Sequence, residues 1–208
     1  MKSILVTSAA PGDGKTTVAW NRAAAAASAG SRVLLIEAEL RKPSFVKRFN
    51  LESKAGLTDV LAMGARPADV IYELPIGEGK QGTDAASIVD VLPAGPVPPN
   101  PSDLIESPRM ASLVRQATER YDLIVIDAPP AAVVSDAIPL VRRVDGVLVV
   151  VRMDKTTRDG TRHLRDRLRH LDAAVLGVVL NGISGADGYY AEAYGYGAGY
   201  KTGARTIR

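Results

Sequence analysis

There is no cysteine in the 208-residue sequence, which excludes disulfides, thiolate metal sites and cysteine nucleophiles. Histidine is almost as scarce. His163 and His170 fall on one predicted helix, and both read as structural. Aromatic residues make up 5% of the chain, and the single tryptophan, Trp20, reads as a packing residue. No stretch approaches the roughly 18 consecutive apolar residues needed to cross a bilayer. The first apolar segment is too short for a signal peptide and runs straight into a glycine-rich loop. Direct membrane insertion is therefore not expected, and a membrane role would come through a partner. A strong charge of one sign is lacking too: 26 Lys and Arg against 23 Asp and Glu leave a net +3, which does not call for nucleic acid.

What is present is a chain of ordinary globular composition, 46% hydrophobic and 24% charged, long enough for one α/β domain with a substantial core. It is organised around residues 3 to 17. The apolar run Ile4 to Val6 reads as a buried strand, followed at once by a Gly/Pro turn and a helix that begins at Lys15. This is a G-x-x-x-x-G-K-[ST] phosphate loop in its expected context, with Ala9 where the strict pattern has glycine. Successive backbone N–H groups can curl round an anion at the helix N-terminus, and Gly12 and Gly14 permit the positive φ such a nest requires. Gly12, Asp13, Gly14, Lys15, Thr16 and Thr17 are the expected nucleotide-binding residues. Lys15 supplies a mobile charge for the phosphates, and the Thr16 hydroxyl can ligate Mg²⁺.

Further along, an alanine-rich helix from Val18 to Ala29 is closed by Gly30, a favourable residue just past a helix end. Val33 to Ile36 reads as a central parallel strand whose carboxyl end carries Glu37 and Glu39. If the strand continues, these two carboxylates point the same way, toward the ligand crevice; the alternative is a solvated acidic loop. Short helical turns are expected at Ser44 to Phe49 and from a Thr58 cap to Gly64. A polar, glycine-rich loop at 77 to 87 lies between two expected edge strands, and no chemistry is assigned to it. Pro93 to Pro101 reads as an extended, ordered surface segment. A helix starts at Ser107-Pro108, with Met110, Leu113, Val114 and Ala117 as its buried stripe.

The second strong motif is Leu123-Ile124-Val125-Ile126-Asp127, a buried strand with an acid at its carboxyl end. Paired with the phosphate loop it is a Walker B arrangement, in which Asp127 helps hold the hydrated Mg²⁺. Val147 to Val151 and Val175 to Leu180 read as two more buried strands, separated by a helix with Leu164, Leu168 and Leu171 as its apolar stripe. Asn181, just past the last of these strands, sits where a nucleotide base can be hydrogen-bonded. The predicted fold is α/β: a P-loop NTPase with a mostly parallel central sheet, helices on both faces, and a flexible tyrosine-rich C-terminal tail. The domain covers 1–183 and the tail 184–208. Five of the seven tyrosines, Tyr189, Tyr190, Tyr194, Tyr196 and Tyr200, are interleaved there with glycine and alanine, as hydroxyls offered for phosphorylation.

Taken together, the loop from Ser8 to Thr17, the segment Leu34 to Pro43, the stretch Leu92 to Met110, Tyr121 to Pro130, Leu180-Asn181-Gly182 and the tyrosine tail resemble the cytoplasmic kinase domain of bacterial tyrosine kinases. These are the polysaccharide co-polymerase autokinases that control capsule and exopolysaccharide export. The resemblance implies an ATP- and Mg²⁺-dependent protein-tyrosine autokinase at the inner face of the plasma membrane. It implies catalysis by Lys15, Glu37, Glu39 and Asp127, metal binding by Thr16, Glu39 and Asp127, and phosphorylation of the tail tyrosines. In the family the first strand-end acid accepts the tyrosyl proton and the second supports the metal through water. Aspartates are usual there, and glutamate at Glu37 and Glu39 shifts each carboxylate by roughly 1.5 Å, a displacement that costs on the order of a hundredfold in rate. The implied partners are a neighbouring copy, whose tail is the substrate, and a membrane adaptor or transmembrane co-polymerase domain. The family usually carries an arginine-bearing helix ahead of the first strand, and without it weak self-association and little activity alone are expected. The alternative is a division-site or chromosome-partition ATPase switch. Those proteins normally carry a signature lysine early in the loop, where this chain has Ala10, and lack the tyrosine cluster and the Pro93–Pro101 segment.

Overall fold

In the computed structural model, which describes residues 1–52, 55–76 and 87–183, seven strands form one sheet in the order β3-β4-β2-β5-β1-β6-β7. The strands are β1 (Ser3–Ser8), β2 (Val33–Glu37), β3 (Tyr72–Ile76), β4 (Ser87–Leu92), β5 (Leu123–Asp127), β6 (Gly146–Arg152) and β7 (Val175–Asn181). Every ladder is parallel except that between β3 and β4. β1, β2 and β5 are buried at every position, as aliphatic strands covered on both faces must be. Alternate residues feed two cores. Leu34 and Ile36 join one, with Met110, Leu113, Leu164 and Leu168; Val33 and Leu35 join the other, with Ala19, Ala23 and Phe45. Helices therefore cover both faces.

The helix after the phosphate loop, α1 (Lys15–Ser28), buries Ala19, Ala23, Ala26 and Ala27, and Gly30 follows it at φ +88°. Trp20 packs on Phe49 of α2 (Phe45–Phe49) with ring centroids 4.7 Å apart. The helices α3 (Pro101–Glu106) and α4 (Pro108–Arg120) meet at Ser107, whose hydroxyl accepts from the Met110 N–H and caps α4. A short α5 (Ile138–Val141) precedes β6, and α6 (Arg158–His170) turns Leu164 and Leu168 inward.

Four expectations are corrected. β7 is not a buried strand. Among the described residues it has β6 as its sole neighbour in the sheet, so Val178 and Leu180 stand 58% and 55% exposed; an aliphatic run reads the same at the centre of a sheet as at its edge. Only β3 of the pair flanking the 77–87 loop is an edge strand, because β4 also pairs with β2. The proline segment is not wholly superficial: Pro93 and Ala94 are buried, and Pro101 opens α3. Thr58 precedes a wide turn over Asp59–Met63 that ends at Gly64, but its hydroxyl makes no capping bond. Gly56 N–H and Asp59 close that corner instead, 2.7 Å apart.

Candidate nucleotide site

β1 delivers the chain at Ser8 to the carboxyl edge of the sheet, beside the ends of β5 and β6. The sharp reversal into α1 needs φ of +77° at Gly12 and +98° at Gly14, which only glycine adopts without strain. No positive φ falls at Ala9, so a methyl is tolerated where the loop pattern has glycine. Gly14 caps α1 without a side-chain acceptor, and the first turn holds no acid. The open amides at this end are therefore left for an anion. Asp13 is buried under the loop and accepts the Ala10 N–H at 3.0 Å, while the Ser8 hydroxyl donates to the Ala10 carbonyl at 2.7 Å.

Lys15 is buried at the first position of α1, and Thr16 beside it donates its hydroxyl to Asp127 Oδ2 at 2.6 Å. The expected pairing of phosphate loop and strand-end acid is thus a direct contact. Asp127 Oδ1 is buried with no partner among the described residues. Burial pushes this carboxyl up to about 7, against the Thr16 hydrogen bond and the Lys15 charge that favour its ionised form. A desolvated oxygen beside a hydroxyl and an anion cradle fits a hard cation that keeps several waters, as Mg²⁺ does. Among the described residues no group of three His, Cys, Asp or Glu forms a closed metal cage.

The two strand-end glutamates do not behave as a pair. β2 ends at Glu37, so strand alternation does not extend to Glu39. The Glu37 carboxylate is fully buried and accepts from the Ser44 N–H and hydroxyl, the Phe45 N–H at 2.9 Å and the Ala94 N–H at 3.0 Å. Burial raises its pKa against the pull of those donors. Glu39 is half-buried and accepts two long bonds of 3.3 Å from the Arg41 and Lys42 N–H groups. Asn181 braces the loop: its Nδ2 donates to the Asp13 carbonyl at 2.9 Å, and its Oδ1 accepts the Gly182 N–H. A β-carbon at Gly14 would collide with that amide. Thr17 accepts from Arg48 Nη2 at 3.3 Å.

One cluster escaped the sequence reading. Arg41 pairs with buried Asp136 through Nε at 2.6 Å and Nη2 at 3.0 Å, and the Ser102 hydroxyl donates to the same carboxylate. It ties the strand-end segment to α3 and to the loop after β5. The available signal was one acid inside the otherwise uncharged stretch 131–141. Tyr189, Tyr190, Tyr194, Tyr196 and Tyr200 lie outside the described residues, as does most of the 77–87 loop.

No protein-family model matches the sequence. The tyrosine-protein kinase YwqD of Bacillus subtilis is 37% identical over 182 residues, spanning 88% of this chain and 73% of that protein. The chain belongs to the bacterial tyrosine kinases. The tyrosine-protein kinase Etk of Escherichia coli is 34% identical over 180 residues, but this chain spans only 23% of it. The solved kinase domain of that tyrosine kinase superposes with a TM-score of 0.79, over 88% of this chain and 68% of the solved one. The septum site-determining protein MinD of Pyrococcus horikoshii, solved with Mg-ADP, reaches 0.67 over 86% of this chain and 69% of its own at 24% identity, a likeness of fold alone. Among the described residues of this tyrosine kinase, no helix is long and apolar enough to cross a membrane.

Proposed function

We propose that this kinase binds ATP and Mg²⁺ in the loop between β1 and α1 and transfers the γ-phosphoryl group to tyrosines of its own C-terminal segment. Tyr189, Tyr190, Tyr194, Tyr196 and Tyr200 would be the acceptors, in a neighbouring copy. The observation that carries this reading is the contact between Thr16 and Asp127, with the second Asp127 oxygen buried and without a partner among the described residues. Lys15 and those amides would hold the phosphates, while Thr16 and Asp127 would hold the metal, which supplies charge neutralisation on the transferred group. Little covalent chemistry is asked of the protein in such a transfer, so positioning and charge dominate. Glu37 is fully buried and accepts four hydrogen bonds, three on Oε1 and one on Oε2, so its part is to hold the strand end. Glu39, with only long local bonds, is the acid free to take the tyrosyl proton or to orient metal-bound water.

Each phosphate would add roughly −1.5 to −2 charge to the tail, enough to loosen contacts between copies. By the family resemblance, this cycle would regulate capsular or exopolysaccharide synthesis and export at the inner face of the plasma membrane, through an adaptor or co-polymerase. Labelled ATP and Mg²⁺, given to the wild type and to Lys15→Met with an activating membrane-protein fragment present, provide the test. Label on tail tyrosines that disappears in Lys15→Met supports the kinase cycle. Free phosphate without labelled protein would replace it with an ATPase switch.

A further inference from the structure

We propose that Lys155 is a second cation that contacts the bound nucleotide, entering the phosphate loop from the turn between β6 and α6. The inference rests on the reading of that loop as the ATP site. The turn is tightly specified. The Arg152 carbonyl accepts the N–H groups of Lys155 and Thr156 at 3.3 and 3.0 Å, and the Thr156 hydroxyl accepts the Arg152 N–H at 2.8 Å. The Met153 N–H donates to the Asn181 carbonyl at 2.9 Å, and Asp154 takes a φ of +59° to complete the reversal. This geometry lays the turn against the rim of the loop.

Arg152 Nη1 donates to the Gly12 carbonyl at 3.2 Å. A β-carbon at Gly12 would collide with the Lys155 Nζ and sit 3.8 Å from its Cε, so the ammonium group stands directly over Gly12. On the other flank, a β-carbon at Gly160 in the first turn of α6 would lie 3.7 Å from the Ala9 β-carbon. The turn and the start of α6 thus border both ends of the anion nest. Lys155 takes part in none of the ion pairs among the described residues, and its side chain makes none of their hydrogen bonds. An unpaired lysine has little reason to fold onto a glycine rather than extend into water. At the mouth of an anion cradle it has one. The loop itself carries a single lysine, Lys15, with Ala10 at its other end. Lys155 brings the additional charge from a separate element, and Gly12 leaves room for it.

Titration of fluorescent ADP and ATP analogues with Mg²⁺ into the wild type, Lys155→Met, Lys155→Arg and Lys15→Met tests this, alongside thermal unfolding without nucleotide. Loss of one charge-assisted contact is expected to weaken both nucleotides roughly tenfold in Lys155→Met. Lys155→Arg should stay within about twofold, and nucleotide-free melting should not move, because the side chain is exposed. Wild-type affinity in Lys155→Met overturns the proposal. So does a loss of binding that tracks a loss of nucleotide-free stability and is not restored by arginine. A wild type that binds neither nucleotide overturns the ATP reading, and the role of Lys155 with it.

Discussion

Glu37 and Asp127 are register partners on the adjacent parallel strands β2 and β5, yet their carboxylates have opposite surroundings. Among the described residues Glu37 accepts from four donors, whereas Asp127 has one hydroxyl partner and one buried oxygen with none. Two acids at the same level of one sheet are thereby separated in role. One is bound up in holding the strand-end segment, and the other is left able to change its partner.

Glu37→Gln should therefore act mainly on stability. The amide keeps one acceptor oxygen but sets an NH₂ group against an N–H donor, at either Ala94 or the Ser44–Phe45 pair. A buried donor facing a donor costs about 2–3 kcal/mol. Glu39→Gln, at a half-exposed position with long bonds, should change stability by no more than about 0.5 kcal/mol while lowering phosphoryl transfer. Urea unfolding paired with a labelled-ATP assay separates the two; equal stability losses would remove the distinction.

Asp127→Asn should stabilise the nucleotide-free protein. Burial raises this carboxyl to about 7 in the metal-free fold, above its ordinary range. The group thus adds stability below its unfolded value near 4 and loses it as pH rises toward about 7. Asparagine can still accept from Thr16 and carries no charge to desolvate. At about pH 8 the variant should exceed the wild type by about 1–3 kcal/mol, and the gap should close toward about pH 4. Added Mg²⁺ and ADP should raise the wild-type melting temperature and leave the variant nearly unmoved. A variant less stable than the wild type at about pH 8 would contradict the burial argument.

The parts of this site that were legible in the sequence are those in which local chemistry decides. Gly12, Gly14, Lys15 and Thr16 follow one another in a loop whose backbone they dictate, and Asp127 ends an unbroken aliphatic strand. The commitments of Glu37 were not legible, because one of its donors, Ala94, lies 57 residues away. α3 and α5 span six and four residues, too few to show a helical period, and each carries a proline at its start. The edge position of β7 depends on strand order, which no single strand encodes.

Arg41→Lys should weaken the tie between the strand-end segment and the loop after β5. Burial alone would raise the Asp136 carboxyl, but the Arg41 and Ser102 hydrogen bonds overcome it and hold the group below its ordinary range. A depressed carboxylate contributes stability above its unfolded value and loses it as pH falls through the folded one. Lysine keeps the charge without the two-pronged geometry, so a loss of about 1 kcal/mol is expected near neutral pH. Arg41→Ala leaves a buried charge without its cation and should cost about 3 kcal/mol, a deficit that shrinks on acidification as Asp136 takes up a proton. A deficit independent of pH would assign Arg41 to packing alone.

Gly14→Ala should suffer two separable penalties. The backbone φ of +98° is strained for any side chain, and the new methyl would meet the Asn181 amide that braces the Asp13 carbonyl. The first penalty belongs to the loop and amounts to about 1–2 kcal/mol. The second belongs to the contact and disappears when the amide is removed. Asn181→Ala alone should cost about 1 kcal/mol through the lost hydrogen bond. The double variant should be more stable than the sum of the single losses by about 1 kcal/mol or more, because one clash cannot be relieved twice. Unfolding of the four proteins completes the cycle. Strict additivity would mean that Asn181 and the start of α1 adjust independently, and that the asparagine does not set the shape of the phosphate loop.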